Sequence, residues 1–325
     1  MKIPHRRQFV HLAAGAAAVS AVSGFARAQA YPSRPVRLIV GYAAGGSTDV
    51  LARLIGQWLS ERLGQTFVVE NRPGAGSNIG TEAVVRSPAD GYTLLVSATA
   101  NAINATLYDK LNFNFIRDTT PVGGIIRVPN VMEVNLAIPA RTVPEFIAYA
   151  KANPGKLNTA GNVGTSSHLA GELFKAMTGI NMTNIPYRGG SSAVADLIGG
   201  RVQVMFDTMP NAIGYIKGGQ LRALAVTTTM RNTAIPDLPT VAEFVPGYES
   251  SGWFGVSAPK GTPADIVEKL NKEINAALAD PRMRARLADL GGSVLTGSPA
   301  DFGRLIADET EKWGKVIRAA GIKPE

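Results

Sequence analysis

The chain has 325 residues, no cysteine and a formal charge of +8. Without cysteine it carries no disulfide, thiolate metal site, cysteine nucleophile or lipid-modified N-terminal cysteine. Lys2, Arg6, Arg7 and Arg27 fall in the first 30 residues, which hold no acidic group, so the other 295 carry only +4. They contain no basic run, and nucleic-acid binding is not expected.

Residues 1–30, "MKIPHRRQFVHLAAGAAAVSAVSGFARAQA", combine a basic start, an apolar stretch from Leu12 to Val22 and a small-residue end. That is the layout of an export signal cleaved near Ala28 or Ala30, with an apolar run too short to span a bilayer comfortably. Arg6-Arg7-Gln8-Phe9 fits a twin-arginine (Tat) signal, and a Sec signal with two arginines stays open. The mature chain is expected free in the periplasm.

Next, "VRLIVGYAAGGSTDVLARLIGQWLSERLG" reads as a strand, a glycine turn and an amphipathic helix from Thr48 to Leu63. Such a junction suits an anion, because free backbone N–H groups and the helix dipole point the same way. A phosphate and a carboxylate fit equally well. Gly45 and Gly46 admit a ligand close to the backbone, and Ser47 and Thr48 add hydroxyls. Asp49 belongs to the same junction and suits a helix cap better than a carboxylate contact.

"TFVVE" and "YTLLVSA" are further strands, and Ser97, Thr99 and Asn101 in "LLVSATANAIN" stand at a strand end where α/β sheets place ligands. The G-x-G in "NRPGAGSNIG" follows the second strand with the wrong spacing for a dinucleotide site, and reads as a structural turn. "VMEVNLAI" is a strand, followed by a helix from Val143 to Ala152 and the strand "KLNTA". "GNVGTSSHLAGELF" repeats the first junction: Thr165, Ser166 and Ser167 offer hydroxyls and caps ahead of a helix from Ser167 to Met177. His168, alone among histidines after the signal, reads as structural.

After the strand "TNIPY", "YRGGSSAVADL" gives a third glycine turn with Gly189, Gly190 and Ser191, before a helix from Ser192 to Leu197. Arg188 there is a counter-ion or a surface group. "VQVMF" is a strand, "VMFDTMP" ends it on Asp207, a position expected to face the cleft, and "LRALAVT" follows. The chain closes with the strand in "SSGWFGVSAPKGTP" and helices over 263–279, 281–289 and 299–319.

Alternating strands and helices predict an α/β fold with mostly parallel sheets flanked by helices. The closing helices need a sheet, and the first block supplies it. Lobe 1 is therefore 31–133 plus 251–325, and lobe 2 is 134–250. The crossings fall near Pro129–Val134 and Tyr248–Ser251, an arrangement suited to a clamp on a small ligand.

Several segments together carry a family resemblance over nearly the whole chain: "YPSRPVRLIVGYAAGGSTDVLARLIG", "VENRPGAGSNIGTEAVVRSPADGYTLL", "GKLNTAGNVGTSSHLAGELFKAMTGI", "IPYRGGSSAVADLIGGRVQVMFD", "GQLRALAVTTTMRNTAIPDLPTVAE", "GYESSGWFGVSAPKGTP" and "WGKVIRAAGIKPE". They resemble the Bug family, periplasmic receptors of tripartite tricarboxylate transporters. The resemblance implies a two-lobed Venus-flytrap (periplasmic-binding-protein) fold holding a small carboxylate through bridging waters and delivering it to membrane subunits. Two stretches depart from the family: "YAAGG", and "VMEVNLAI", which places Glu133 in a usually apolar hinge strand.

The expected role is a monomeric binding module with no cofactor, metal or catalytic residue. A secreted enzyme using Asp49, Asp207 and His168 competes with it, against the absence of a G-x-S-x-G elbow and of H-E-x-x-H. A ligand-loaded partner of a membrane sensor shares the same binding chemistry. Asp207 meets an anionic ligand, so the favoured ligand is a mono- or dicarboxylate without an amine, with Asp207 bonded to backbone N–H or water. An amino acid whose ammonium pairs with Asp207 is the alternative.

Overall fold

The apolar runs around 36–40, 67–71 and 93–98 form strands β1 (Val36–Val40), β2 (Phe67–Asn71) and β3 (Thr93–Ala98), parallel and in spatial order β2-β1-β3. A computed structural model describes residues 31–325 apart from Asp109, Asn162, Arg188 and Glu325. The expected export signal and Arg188 lie outside the described residues. Arg34–Glu325 forms one compact unit, and of the other, Met1–Ser33, only 31–33 are described.

The remaining strands are β4 (Thr119–Val134), β5 (Leu157–Gly161), β6 (Met182–Pro186), β7 (Val204–Thr208), β8 (Arg222–Val226), β9 (Ser251–Pro259) and β10 (Ser293–Val294). They extend the sheet in the order β2-β1-β3-β9-β4-β7-β5-β6, with β8 and β10 also paired to β4. The sheet is mixed. β9 runs antiparallel to β3 and β4, and β4 runs antiparallel to β7 and β8, while β5 is parallel to both β6 and β7.

The helices are α1 (Ser47–Leu63), α2 (Asn78–Val85), α3 (Thr99–Leu107), α4 (Phe115–Asp118), α5 (Val143–Ala152), α6 (Ser166–Thr178), α7 (Gly190–Ile198), α8 (Met209–Lys217), α9 (Ala264–Ala279), α10 (Pro281–Asp289) and α11 (Pro299–Ala320). α1 ends on Gly64, which at φ 71° adopts the left-handed conformation that terminates helices. Around Trp253 and Phe302, packed edge to face, one half of the sheet buries its core. Phe146, Phe174, Phe206 and Tyr248 fill the core of the other half. No helix among the described residues is long and apolar enough to cross a membrane.

Several elements differ from expectation. The strand expected at "VMEVNLAI" stops at Val134, yet begins twelve residues earlier, at Thr119. Pro121, Gly123 and Gly124 read as strand breakers, and the ladder to β9 absorbs them as register shifts between Pro121 and Gly123 and between Gly124 and Ile126. α2, α3 and α8 were not expected either. α3 is rich in Asn and Thr, residues that ordinarily favour turns, and α8 opens on Met209-Pro210.

β4 changes partner midway. Pro129 pairs with Ser251 of β9, and the next residue, Asn130, pairs with Thr208 of β7. Thr227, fully buried, ties this crossing to the other one. Its N–H donates to the Asn130 carbonyl (2.9 Å) and its carbonyl accepts the Ser250 N–H (3.0 Å). The Asn130 N–H donates to the Thr227 hydroxyl (2.8 Å), which lies 2.6 Å from the Ser250 carbonyl.

Candidate functional site

The loops ahead of α1, α3, α6 and α7 converge on one cleft enclosing about 540 Å³ of atom-free space, part of it open to solvent. α1 supplies Gly46, Ser47 and Thr48, and α3 supplies Thr99. α6 supplies Thr165, Ser166 and Ser167, and α7 supplies Gly190. Each helix starts where the first-turn N–H groups have no intrahelical acceptor, so several dipoles and donors aim at a shared volume. The wall opposite α1 is the end of β7 with the start of α8: Met205, Asp207, Thr208 and Asn211.

The two sides touch. The hydroxyls of Ser47 and Thr208 lie 2.5 Å apart, and the Ser191 hydroxyl donates to the Ala44 carbonyl at 3.3 Å. Asn130, at the crossing, donates its amide to the Ser167 hydroxyl (3.3 Å) and the Phe206 carbonyl (3.2 Å), so the strand that joins the halves also positions α6. Thr165 caps α6 through its hydroxyl, which accepts the His168 N–H.

Asp207 is 2% exposed. One carboxyl oxygen accepts the Thr208 N–H (2.8 Å) and the other accepts the Asn211 amide. Burial pushes this carboxyl up to about 7, against the lowering effect of those two bonds. Glu133, fully buried on β4, has no donor to either oxygen among the described residues. Burial, and then the field of Asp207, raise it well above the usual carboxylate range.

Four expected site residues do not line the cleft, each for a local reason. The Gly45 N–H donates to Asp49 at 3.0 Å, and Asp49 faces away, held by Arg53 (2.9 Å) and Asn71 (3.0 Å). Burial works against ionisation of Asp49, but the bonds from Arg53, Gly45 and Asn71 outweigh it and hold the carboxyl below its ordinary value. Ser97 is buried against the Ser257 hydroxyl (3.1 Å). Asn101 caps α3 by accepting the Ala98 N–H (2.9 Å) and donates to Thr81 (2.8 Å).

His168 is buried on α6, 3.9 Å from Glu172, and does not line the cleft; burial lowers its affinity for a proton. The "NRPGAGSNIG" loop stays off the cleft lining too.

Sequence reasoning missed Tyr42, Ala98, Ala100, Met205, Thr208, Asn211, Trp253 and Phe254. Thr208 and Asn211 carried a usable signal, since "FDTMPN" puts proline in the first turn of a helix directly after a buried strand. The apolar lining residues carried none, being indistinguishable from core in a linear sequence. Among the described residues no group of three or more His, Asp or Glu side chains could hold a metal ion.

Over residues 51–322 the chain matches the family described as "Tripartite tricarboxylate transporter family receptor". It is 39% identical to protein BugT of Bordetella pertussis over 310 residues, covering 94% of this chain and 95% of BugT. Among solved structures it is similar to Rpa4515 of R. palustris with adipate, at a TM-score of 0.89 and 41% identity, covering 91% of this chain and 100% of that one. MatC (Rpa3494) of Rhodopseudomonas palustris with bound malate gives a TM-score of 0.84 and 31% identity, covering 88% and 100%.

Proposed function

Because the chain belongs to the family of tripartite tricarboxylate transporter receptors, we propose that it captures a small carboxylate in the periplasm and hands it to the transporter's membrane subunits. The observation that carries this reading is the convergence of four helix N-termini and their hydroxyls on one cleft. Their N–H groups can surround both ends of a short diacid without a cationic side chain. The similar proteins solved with adipate and malate support the same ligand class.

The lobes are 31–133 with 251–325, and 134–250, with Val131–Glu133 at the boundary paired to β7 and β8 of the second lobe, and they move about the two crossings at Asn130 and Ser250. The partner change at Pro129 and Asn130 and the stitching by Thr227 support a hinge there. The protein acts as a monomer and without catalysis, in keeping with a cleft rich in hydroxyls that His168 does not line. Its N-terminal segment is removed on export, so the intact mass of the periplasmic form should begin near Gln29 or Tyr31.

A thermal-shift panel tests the ligand class. Adipate, malate and succinate should stabilise the protein, and aspartate and glutamate should not. Stabilisation by the amino acids alone would reject the assignment. Ser167→Ala should weaken carboxylate binding by about 0.5–3 kcal/mol, the range from neutral to charge-assisted hydrogen bonds.

A further inference from the structure

Two acids share one buried face of the sheet beside the cleft. In the β4–β7 ladder Val131 pairs with Asp207 and Glu133 pairs with Met205, so these four side chains leave the sheet on the same side and the two acids are diagonal neighbours. Met205 and Asp207 form part of the cleft wall, and Glu133 stands behind it, fully buried, with no donor to either oxygen among the described residues.

The other titratable groups near this face offer no compensating charge. Tyr215 and Tyr187 pack on the cluster that contains Met205, and the Tyr187 hydroxyl donates to Asp196, which is itself paired with Arg201. Across the cleft stand Tyr42 and, behind the lining, Asp49 paired with Arg53. None of the described lining residues is basic.

We propose that the cleft accepts its carboxylate together with one proton, which Asp207 holds and presents as a hydrogen bond to the ligand. This rests on the carboxylate reading above. An ionised ligand beside an ionised Asp207 would place like charges together in a poorly solvated cleft, where repulsion is strong. Glu133 cannot relieve it: with no donor for its oxygens it stays protonated and gives up nothing. Asp207 is the member of the pair that changes state. Its carboxyl, raised to about 7 by burial, binds a proton from solvent as the ligand enters and releases it as the ligand leaves. The bond formed is O–H on Asp207, hydrogen-bonded to a ligand oxygen, and no other bond changes.

Titration calorimetry with adipate and with malate, in two buffers of different ionisation enthalpy, counts the protons. The expected uptake is about one per ligand at pH 8 and near zero at pH 6, with affinity falling toward tenfold per pH unit above about 7. Asp207→Asn should abolish the uptake and flatten the pH dependence. Glu133→Gln should leave the uptake at pH 8 in place. Should Asp207→Asn fail to fold, the two-buffer measurement on the unaltered protein still decides. Binding with no proton uptake at pH 8 overturns the proposal and leaves the carboxylate reading standing. Loss of the uptake in Glu133→Gln overturns the assignment to Asp207. Tight binding of aspartate that is lost in Asp207→Asn would place an ionised Asp207 against the ligand and overturns the proposal. Failure of adipate, malate and succinate at every pH rejects the carboxylate reading and this proposal with it.

Discussion

Thr227 illustrates how much one hydroxyl can hold. It sits fully buried where both crossings meet and accepts the Asn130 N–H. Thr227→Val keeps the shape but leaves that N–H without its acceptor, so chemical denaturation should show a loss of about 1–3 kcal/mol. Glu133 makes the opposite prediction. Its carboxyl is raised in the folded protein, so the folded state keeps a proton that the unfolded chain releases above its ordinary value of 4.5. Stability should therefore fall as pH rises from about 4.5 toward the raised value, by up to about 1.4 kcal/mol per pH unit from this group. Glu133→Gln should remove that part of the slope in urea denaturation compared at pH 5 and pH 8. An unchanged slope would mean that the buried carboxyl is not the cause.

The same scale explains which site residues could be read from sequence. Ser47, Thr48 and Thr165 to Ser167 are small hydroxyl residues ahead of helices, where a cap and a ligand contact need the same chemistry. Asp49 and Asn101 satisfy that pattern too, but Arg53 and the Ala98 N–H claim them first. Those partners are fixed by three-dimensional contact, which spacing alone does not encode.

Among the elements, strand–glycine–helix junctions were legible because a left-handed or open glycine followed by hydroxyls has few other uses. β4 was not. Its central glycines and prolines argue locally against a strand, and only pairing with β9, a hundred residues later in the chain, makes them tolerable. The α7 junction yields a further prediction. A Cβ on Gly190 would lie 2.7 Å from the Asn211 amide nitrogen, which serves Asp207. Gly190→Ala should push aside Asn211, whose bond favours the ionised form of Asp207, so Asp207 should hold its proton to higher pH and the pH above which carboxylate affinity falls should rise, with the fold retained by circular dichroism. An unmoved pH profile would show that Asn211 does not act on Asp207.

Over the whole molecule, the α/β class was readable from the alternation of elements, whereas the mixed sheet was not, since strand direction depends on how the chain returns. Lobe movement at the crossings predicts a smaller radius of gyration with ligand, measurable by small-angle scattering, and an unchanged radius at saturation would remove the clamp. β4 belongs to both halves of the sheet, so neither half keeps its core when the other melts. Calorimetric unfolding of the mature chain should then follow a single transition.

The position of β9 also sets an order in time. β3 and β4 belong to the same half of the sheet, but they meet only through β9, which lies between them. A growing chain that has emerged as far as Val134 holds an open edge on β3 and a β4 with no partner on either side, and the edges that β9 covers must wait through the synthesis of more than a hundred further residues until Ser251–Pro259 arrive. Unpaired edges of this kind invite association with other chains. The first part to be made is therefore among the last to be finished, and the interval before residue 259 is when this protein is most exposed to aggregation.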